Sequence, residues 1–79
     1  MYFVYAIKSL KDKRIYVGLS KDPNRRLVEH NHGQTRSTKG YRPWKLIFIE
    51  GCGTREEARK KEKELKSGFG KEFLKNKYG

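Results

Sequence analysis

Tyr16-Val17-Gly18-Leu19-Ser20 runs through Lys21-Asp22-Pro23 into Arg25-Arg26-Leu27-Val28-Glu29-His30, and the reading of this stretch decides the fold. Its first part is short and apolar at alternate positions, the pattern of a strand. Asp22 can cap a helix with its carboxylate, and Pro23 suits the first helical position, where no amide hydrogen is needed. The helix is expected to run to about Asn31, with Gly33 ending it. Leu27 and Val28 give it a narrow apolar arc. Arg26 and His30, four residues apart, stack on a neighbouring edge, whereas Arg25 and Glu29 point elsewhere. A phenol, a bare glycine backbone, a guanidinium and an imidazole thus fall in one strand-turn-helix unit.

Upstream, Tyr2-Phe3-Val4-Tyr5-Ala6-Ile7 opens a second apolar run. Residues 2–8 are apolar on both alternating faces and rich in aromatic and β-branched side chains, so a well-covered strand is expected. Ser9 to Lys13 is polar enough for a turn, and residues 14–20 form the return strand. With an even loop, antiparallel pairing puts Tyr5 on the same face as Tyr16 and Gly18. Tyr2, Val4, Ala6, Ile15, Val17 and Leu19 then make the opposite face an uninterrupted apolar surface. One side of the hairpin builds core and the other presents phenols. Gly18 inside a strand marks a bulge or a close approach by another backbone or a ligand.

Downstream, His32 to Pro43 is basic, rich in Gly, Ser and Thr, and without hydrophobic period, which reads as a loop. Trp44 to Glu50 is the third strand, closed by a turn at Gly51-Cys52-Gly53. Thr54 and Glu57 fit a capping box opening a second helix to about Lys66. Ser67-Gly68 should break it, and residues 69–77, with Phe69, Phe73, Leu74 and Tyr78 at helical spacing, form a short final helix. The expectation is an α+β domain over residues 1–79, a small three-stranded antiparallel sheet flanked by helices in the order β-β-α-β-α-α.

Seventy-nine residues leave room for one small core and no second domain. The 20 Lys and Arg against 9 Asp and Glu give a formal charge of +11, which points to a polyanionic partner. Residues 1–40 carry nine basic and three acidic side chains and residues 41–79 eleven and six, so no detachable tail accounts for the excess. The opening apolar run is shorter than the roughly 20 residues a membrane helix needs and lacks a charged leader, so a cytoplasmic protein without membrane contact is expected. One cysteine, Cys52, forms no internal disulfide, and with only His30 and His32 as imidazoles there is no zinc-finger ligand set.

The second helix holds an anomaly. Its inward stripe, by spacing, is Ala58, Glu62, Leu65 and then Phe69, with Lys61 alongside and Glu56, Lys60 and Lys63 on the other side. A carboxylate aimed at the core must be paired, protonated or bound to metal. An ion pair with Lys61 or an arginine at the helix margin would satisfy it as well as a functional role. Tyr5, Tyr16, Arg26 and His30 each have a bland reading too, as strand packing or a solvent-facing helix pair. Together with Glu62 they could surround a phosphodiester.

These residues carry a resemblance to the GIY-YIG nuclease superfamily, closest to the small stand-alone members related to the N-terminal nuclease domain of bacterial excision-repair endonucleases. Val4-Tyr5-Ala6 stands where the first tripeptide belongs and Tyr16-Val17-Gly18 where the second does. Arg26 followed by His30 matches the helix motif. Ala58-Arg59-Lys60-Lys61-Glu62 with Leu65-Lys66 matches the segment carrying the metal-binding glutamate. The first tripeptide keeps only its tyrosine, and Asn76, a loose counterpart of the family's late asparagine, is not counted in the catalytic set.

The resemblance implies a metal-dependent endonuclease that hydrolyses DNA by in-line attack of water, with a place in DNA repair and with RNA still open as a substrate. One divalent cation, Mg2+ or Mn2+, would sit on Glu62 and stabilise the departing oxygen. Arg26 would stabilise phosphate charge. Tyr5, Tyr16 or His30 would be the general base, with Tyr5 the first choice provided nearby cations lower its pKa from about 10. Gly18 would admit substrate, and Arg36, Lys39 and Arg42 of the basic loop would track flanking phosphates. Targeting would fall to branched, nicked or flapped DNA structure or to a partner protein. The competing readings are a catalytically idle nucleic-acid-binding module with the same fold and a structural ribonucleoprotein component.

Overall fold

The computed structural model describes residues 1–78; Gly79, the last residue of the domain expected over 1–79, lies outside the described residues. Three strands, β1 (Tyr2–Ser9), β2 (Ile15–Ser20) and β3 (Trp44–Cys52), form an antiparallel sheet in the order β2-β1-β3. The helices are α1 (Pro23–Asn31), α2 (Arg55–Lys66) and α3 (Gly68–Tyr78), so the chain order is the expected β-β-α-β-α-α. A single 3-10 turn, Lys39–Tyr41, interrupts the basic loop.

The hairpin loop is even, as the backbone bond from Ser9 N–H to the Arg14 carbonyl at 2.8 Å requires. Tyr5 therefore faces Gly18 across the ladder and Ile7 faces Tyr16, while Val4 and Ala6 pair with Leu19 and Val17. This is the register in which the two faces segregate. Val4, Ala6 and Val17 pack beneath Ala58 and Leu65 of α2 and Leu74 of α3. Tyr5 and Ile7 pack on the other face with Trp44, flanked by Tyr16, Leu27 of α1, Tyr41 and Leu46. That second layer corrects one expectation. The face carrying the phenols is not presented to solvent; α1 and the basic loop close over it and leave Tyr5 only 1% exposed.

A bulge in β3 makes the second layer possible. Ala6 pairs with Phe48 but Ile7 pairs with Leu46, so Ile47 is the extra residue. An extra residue reverses the facing of everything beyond it. Phe48 accordingly packs with the α2 layer, whereas Leu46 and Trp44 turn to the α1 side.

The helix ends follow the capping chemistry read from sequence. Asp22 accepts the Arg25 N–H at 3.2 Å ahead of Pro23, and Thr54 Oγ1 accepts the Glu57 N–H at 3.2 Å. Gly33, just past α1, has φ +77°, where a side chain is strained. Three placements differ from expectation. Cys52 lies buried at the end of β3, not in the expected turn. Phe69 is 88% exposed and Phe73 and Tyr78 are partly exposed, so among the apolar residues of α3 only Leu74 is fully buried. The cause is Ser67, which caps α2 in an extended conformation (ψ 163°) and resets the helical phase, so the stripe of Ala58 and Leu65 does not continue into Phe69. Gly70 takes its place against α2: a Cβ there would lie 2.2 Å from the Glu64 carbonyl oxygen.

Candidate functional site

The site is built where β1, β2 and α1 meet. Tyr5 leaves the central strand toward α1, and opposite it Gly18 has no side chain to obstruct the ring. A Cβ at Gly18 would stand 2.6 Å from the Tyr5 phenolic oxygen. The room left by Gly18 is thus occupied by the phenol itself. The phenol meets His30 Nε2 at 3.1 Å, a buried contact between residues 25 apart in sequence. Tyr16, two places before Gly18 on the same face, sets its ring edge-on to the imidazole with centroids 5.1 Å apart. Arg26, one turn before His30, lies near enough to the Tyr5 phenol for its charge to favour the phenolate.

Arg26 is held from its other side by Glu29, whose carboxylate takes Arg26 and Arg25 together. Arg25 and Glu29 face one another as expected, but Glu29 also reaches across to Arg26. A guanidinium three residues back along a helix is within reach of a glutamate. Hydrogen bonding to Arg26 holds the Glu29 carboxyl below its ordinary range.

Protonation follows from burial. The Tyr5 phenol is raised above its usual value, first because burial disfavours the phenolate, with Tyr16 and Glu62 adding to the effect and Arg26 opposing it. The expectation that cations would lower it fails because desolvation outweighs the guanidinium. His30 is moved the other way: burial and then Arg26 push the imidazole below its ordinary range, against a smaller pull from Glu29. The pair at neutral pH is a neutral phenol beside a neutral imidazole.

Sequence reading did not single out Thr38. It is 1% exposed and its Oγ1 lies 2.7 Å from His30 Nδ1 and 3.3 Å from the Thr35 carbonyl oxygen. Trp44 Nε1 donates to the Thr38 carbonyl at 2.9 Å, and the Asn31 side chain clamps the Trp44 backbone through bonds of 2.6 and 3.0 Å. The middle of the basic loop is thereby folded inward under the imidazole. A threonine in a polar loop carries no periodic signal that would mark it as buried.

Glu62 stands apart from this contact cluster. It is on α2, which covers the opposite face of the sheet over β1 and β2. Its side chain is 16% exposed and its carboxylate pairs with Lys66 at 3.4 Å, one turn on, in place of the expected Lys61 or arginine; Lys61 instead lies 3.9 Å from Glu50. Its charge is nevertheless felt at Tyr5. Among the described residues no group of three or more His, Cys, Asp or Glu is placed to hold a metal ion. One hard carboxylate oxygen donor fits a hard cation that keeps most of its own water, and it does not fit a cation needing a protein cage. Of the loop cations, Lys39 and Arg42 line one open cleft with Lys11, Asn31, Gly40 and Pro43, while Arg36 is exposed and not part of it. Arg42 Nε donates to the Lys39 carbonyl at 2.9 Å. Asn76 lines a separate groove on α3 with Phe69, Glu72, Phe73 and Lys77.

The model of the GIY-YIG catalytic domain matches residues 1–78 of the chain. The chain belongs to the GIY-YIG family. Among its relatives, the UPF0213 protein of Staphylococcus saprophyticus is 39% identical over 67 residues, covering 84% of this chain and 80% of that one. The UPF0213 protein of Staphylococcus aureus strain Mu50 is 42% identical over the same length and coverage. The solution NMR structure of a UPF0213 protein from Bacillus halodurans superposes with a TM-score of 0.57 at 32% identity, covering all of this chain and 87% of that one. In this GIY-YIG chain Tyr5 and Tyr16 both pack against the buried His30 imidazole, and no described helix is long and apolar enough to cross a membrane.

Proposed function

We propose that this protein is a metal-dependent endonuclease that hydrolyses DNA phosphodiester bonds by in-line attack of water. The single observation carrying the reading is the phenol-imidazole contact of Tyr5 and His30 in a chain of the GIY-YIG family. Arg26 is anchored by Glu29 and keeps donors for a non-bridging phosphate oxygen, where charge grows in the transition state. In this reading Tyr5 is the general base for the attacking water. Because the phenol is neutral, it cannot act as a preformed phenolate; it takes the water's proton while handing its own to His30 Nε2, which is neutral and able to receive it. Hydroxide then forms the new bond to phosphorus as the 3′-oxygen leaves. Tyr16 steadies the imidazole from its edge.

Glu62 is the residue that would hold a divalent cation, Mg2+ or Mn2+, and the cation would supply Lewis-acid stabilisation of the leaving oxygen. Lys39 and Arg42, with Arg36 beyond them, would track flanking phosphates. A cytoplasmic DNA-repair setting and targeting by a partner protein or by branched DNA structure belong to the same reading.

The test is cleavage of duplex, single-stranded, flap and junction DNA with Mg2+ or Mn2+, for the native protein and for Glu62→Ala. Cleavage abolished by EDTA and lost in the variant is the expected result. A protein that binds all four substrates and cuts none would instead be an idle binding module, and a variant that cuts like the native protein would remove Glu62 from the mechanism.

A further inference from the structure

The hydrogen-bond chain through His30 has a direction, and its Thr35 end fixes it. At one end the Tyr5 phenol meets His30 Nε2 at 3.1 Å. A phenol and a ring nitrogen in contact share one proton between them, so the nitrogen that carries the imidazole proton decides which of the two donates. At the other end a backbone carbonyl, which can only accept, lies 3.3 Å from Thr38 Oγ1. A hydroxyl that donates to the Thr35 carbonyl has lone pairs left to accept, and the donor beside it is His30 Nδ1 at 2.7 Å. The order follows from that end: Thr38 donates to Thr35, Nδ1 to Thr38, and the bare Nε2 accepts from Tyr5. The reverse order would point the phenol and Nε2 protons at each other or leave a buried hydroxyl proton without an acceptor, which is costly.

We infer that Thr38 is a positioning residue that holds His30 in the Nδ1–H tautomer, leaving Nε2 bare to receive the Tyr5 proton. Its consequence for turnover rests on the nuclease reading; the tautomer does not. Thr38 is 1% exposed, so its effect passes through His30. It acts by supplying the acceptor for Nδ1–H, and it strengthens that bond when Nε2 takes up the proton and the ring becomes an imidazolium, because a charged donor makes the stronger hydrogen bond. The proton balance is closed: water loses one to Tyr5, Tyr5 loses one to Nε2, and the Nδ1–H and Thr38 protons stay where they are. Its backbone is fixed by Trp44 Nε1, which Asn31 in turn holds to the end of α1, so the hydroxyl is tied to the helix that carries His30.

Long-range proton-nitrogen NMR on protein labelled at histidine nitrogen reads the tautomer without substrate or metal, with exposed His32 as an internal reference. His30 is expected as the Nδ1–H form in the native protein. Thr38→Val, nearly isosteric but unable to accept, should shift His30 toward the Nε2–H form and lower kcat about tenfold to a hundredfold with little change in KM. Thr38→Ser should restore both. A native His30 already in the Nε2–H form overturns the inference whether or not the valine variant folds. So does a folded valine variant with an unchanged tautomer or an unchanged kcat. A protein that cleaves no DNA would refute the nuclease reading while the NMR result still decides the role of Thr38.

Discussion

At the scale of single residues, the buried imidazole couples the site to pH. His30 titrates lower in the folded protein than in the unfolded chain because burial and Arg26 disfavour its charged form. The unfolded chain therefore binds a proton at a pH where the folded one does not. Stability contributed by the neutral ring is complete above the unfolded value of about 6.5 and declines as pH falls below it toward the folded value. The urea midpoint should drop between pH 7.5 and 5.5, before the carboxylates titrate, and the drop should flatten in His30→Gln, whose side chain carries no charge at either pH. An equally steep decline in that variant would place the acid sensitivity elsewhere. Reading single residues from sequence worked for chemistry better than for surroundings. Tyr5, Arg26 and His30 could be named from type and spacing, but burial is a property of what folds over a residue. The layer formed by α1, Tyr41 and Trp44 on the phenol face depends on contacts distant in sequence. For the same reason Gly18 reads as an opening for substrate and turns out to be the clearance for its own cross-strand neighbour.

At the scale of elements, caps and strand register were legible because each is decided within a few residues. Asp22-Pro23 and Thr54 with Glu57 mark helix starts through local hydrogen bonds, and an even hairpin loop settles which side chains share a face. Helical phase was not legible across Ser67, since one extended residue between two helices discards the angular count on which the position of Phe69 rested. Nor was the β3 bulge at Ile47, which no local composition announces. The α2–α3 junction that replaces the expected stripe depends on glycine for space, not for conformation. Gly70 packs so closely on Glu64 and Leu65 that a methyl group has no room, whereas a Cβ at Gly68 meets nothing within 4 Å. Gly70→Ala should therefore destabilise by roughly 1–3 kcal/mol or more through forced separation of the helices. Gly68→Ala should be neutral or stabilise by about 0.4–1 kcal/mol by restricting the unfolded chain. Urea midpoints of the two variants measured side by side check this, and equal losses would mean that the close approach at Gly70 is not what holds α3 in place.

At the scale of the whole molecule, a formal charge of +11 makes some attraction to nucleic acid unavoidable, so affinity by itself says little about a site. What distinguishes a track for the strand from a diffuse cationic surface is where the released counterions come from. Each phosphate neutralised on duplex DNA contributes about 0.9 to the slope of log affinity against log salt. If Lys39 and Arg42 in their shared cleft each meet a phosphate, replacing both by alanine should reduce the slope by about 1.8, that is, twice this increment. Replacing Lys71 and Lys75 removes the same charge from α3, which packs on the α2 side of the sheet, away from the layer that holds Tyr5 and His30. That pair should leave the slope nearly unchanged while lowering net charge equally. Binding measured across a salt series for the two double variants separates the cases. Equal reductions would show that charge is read from the whole surface, and the strand would then have no defined path toward the phenols.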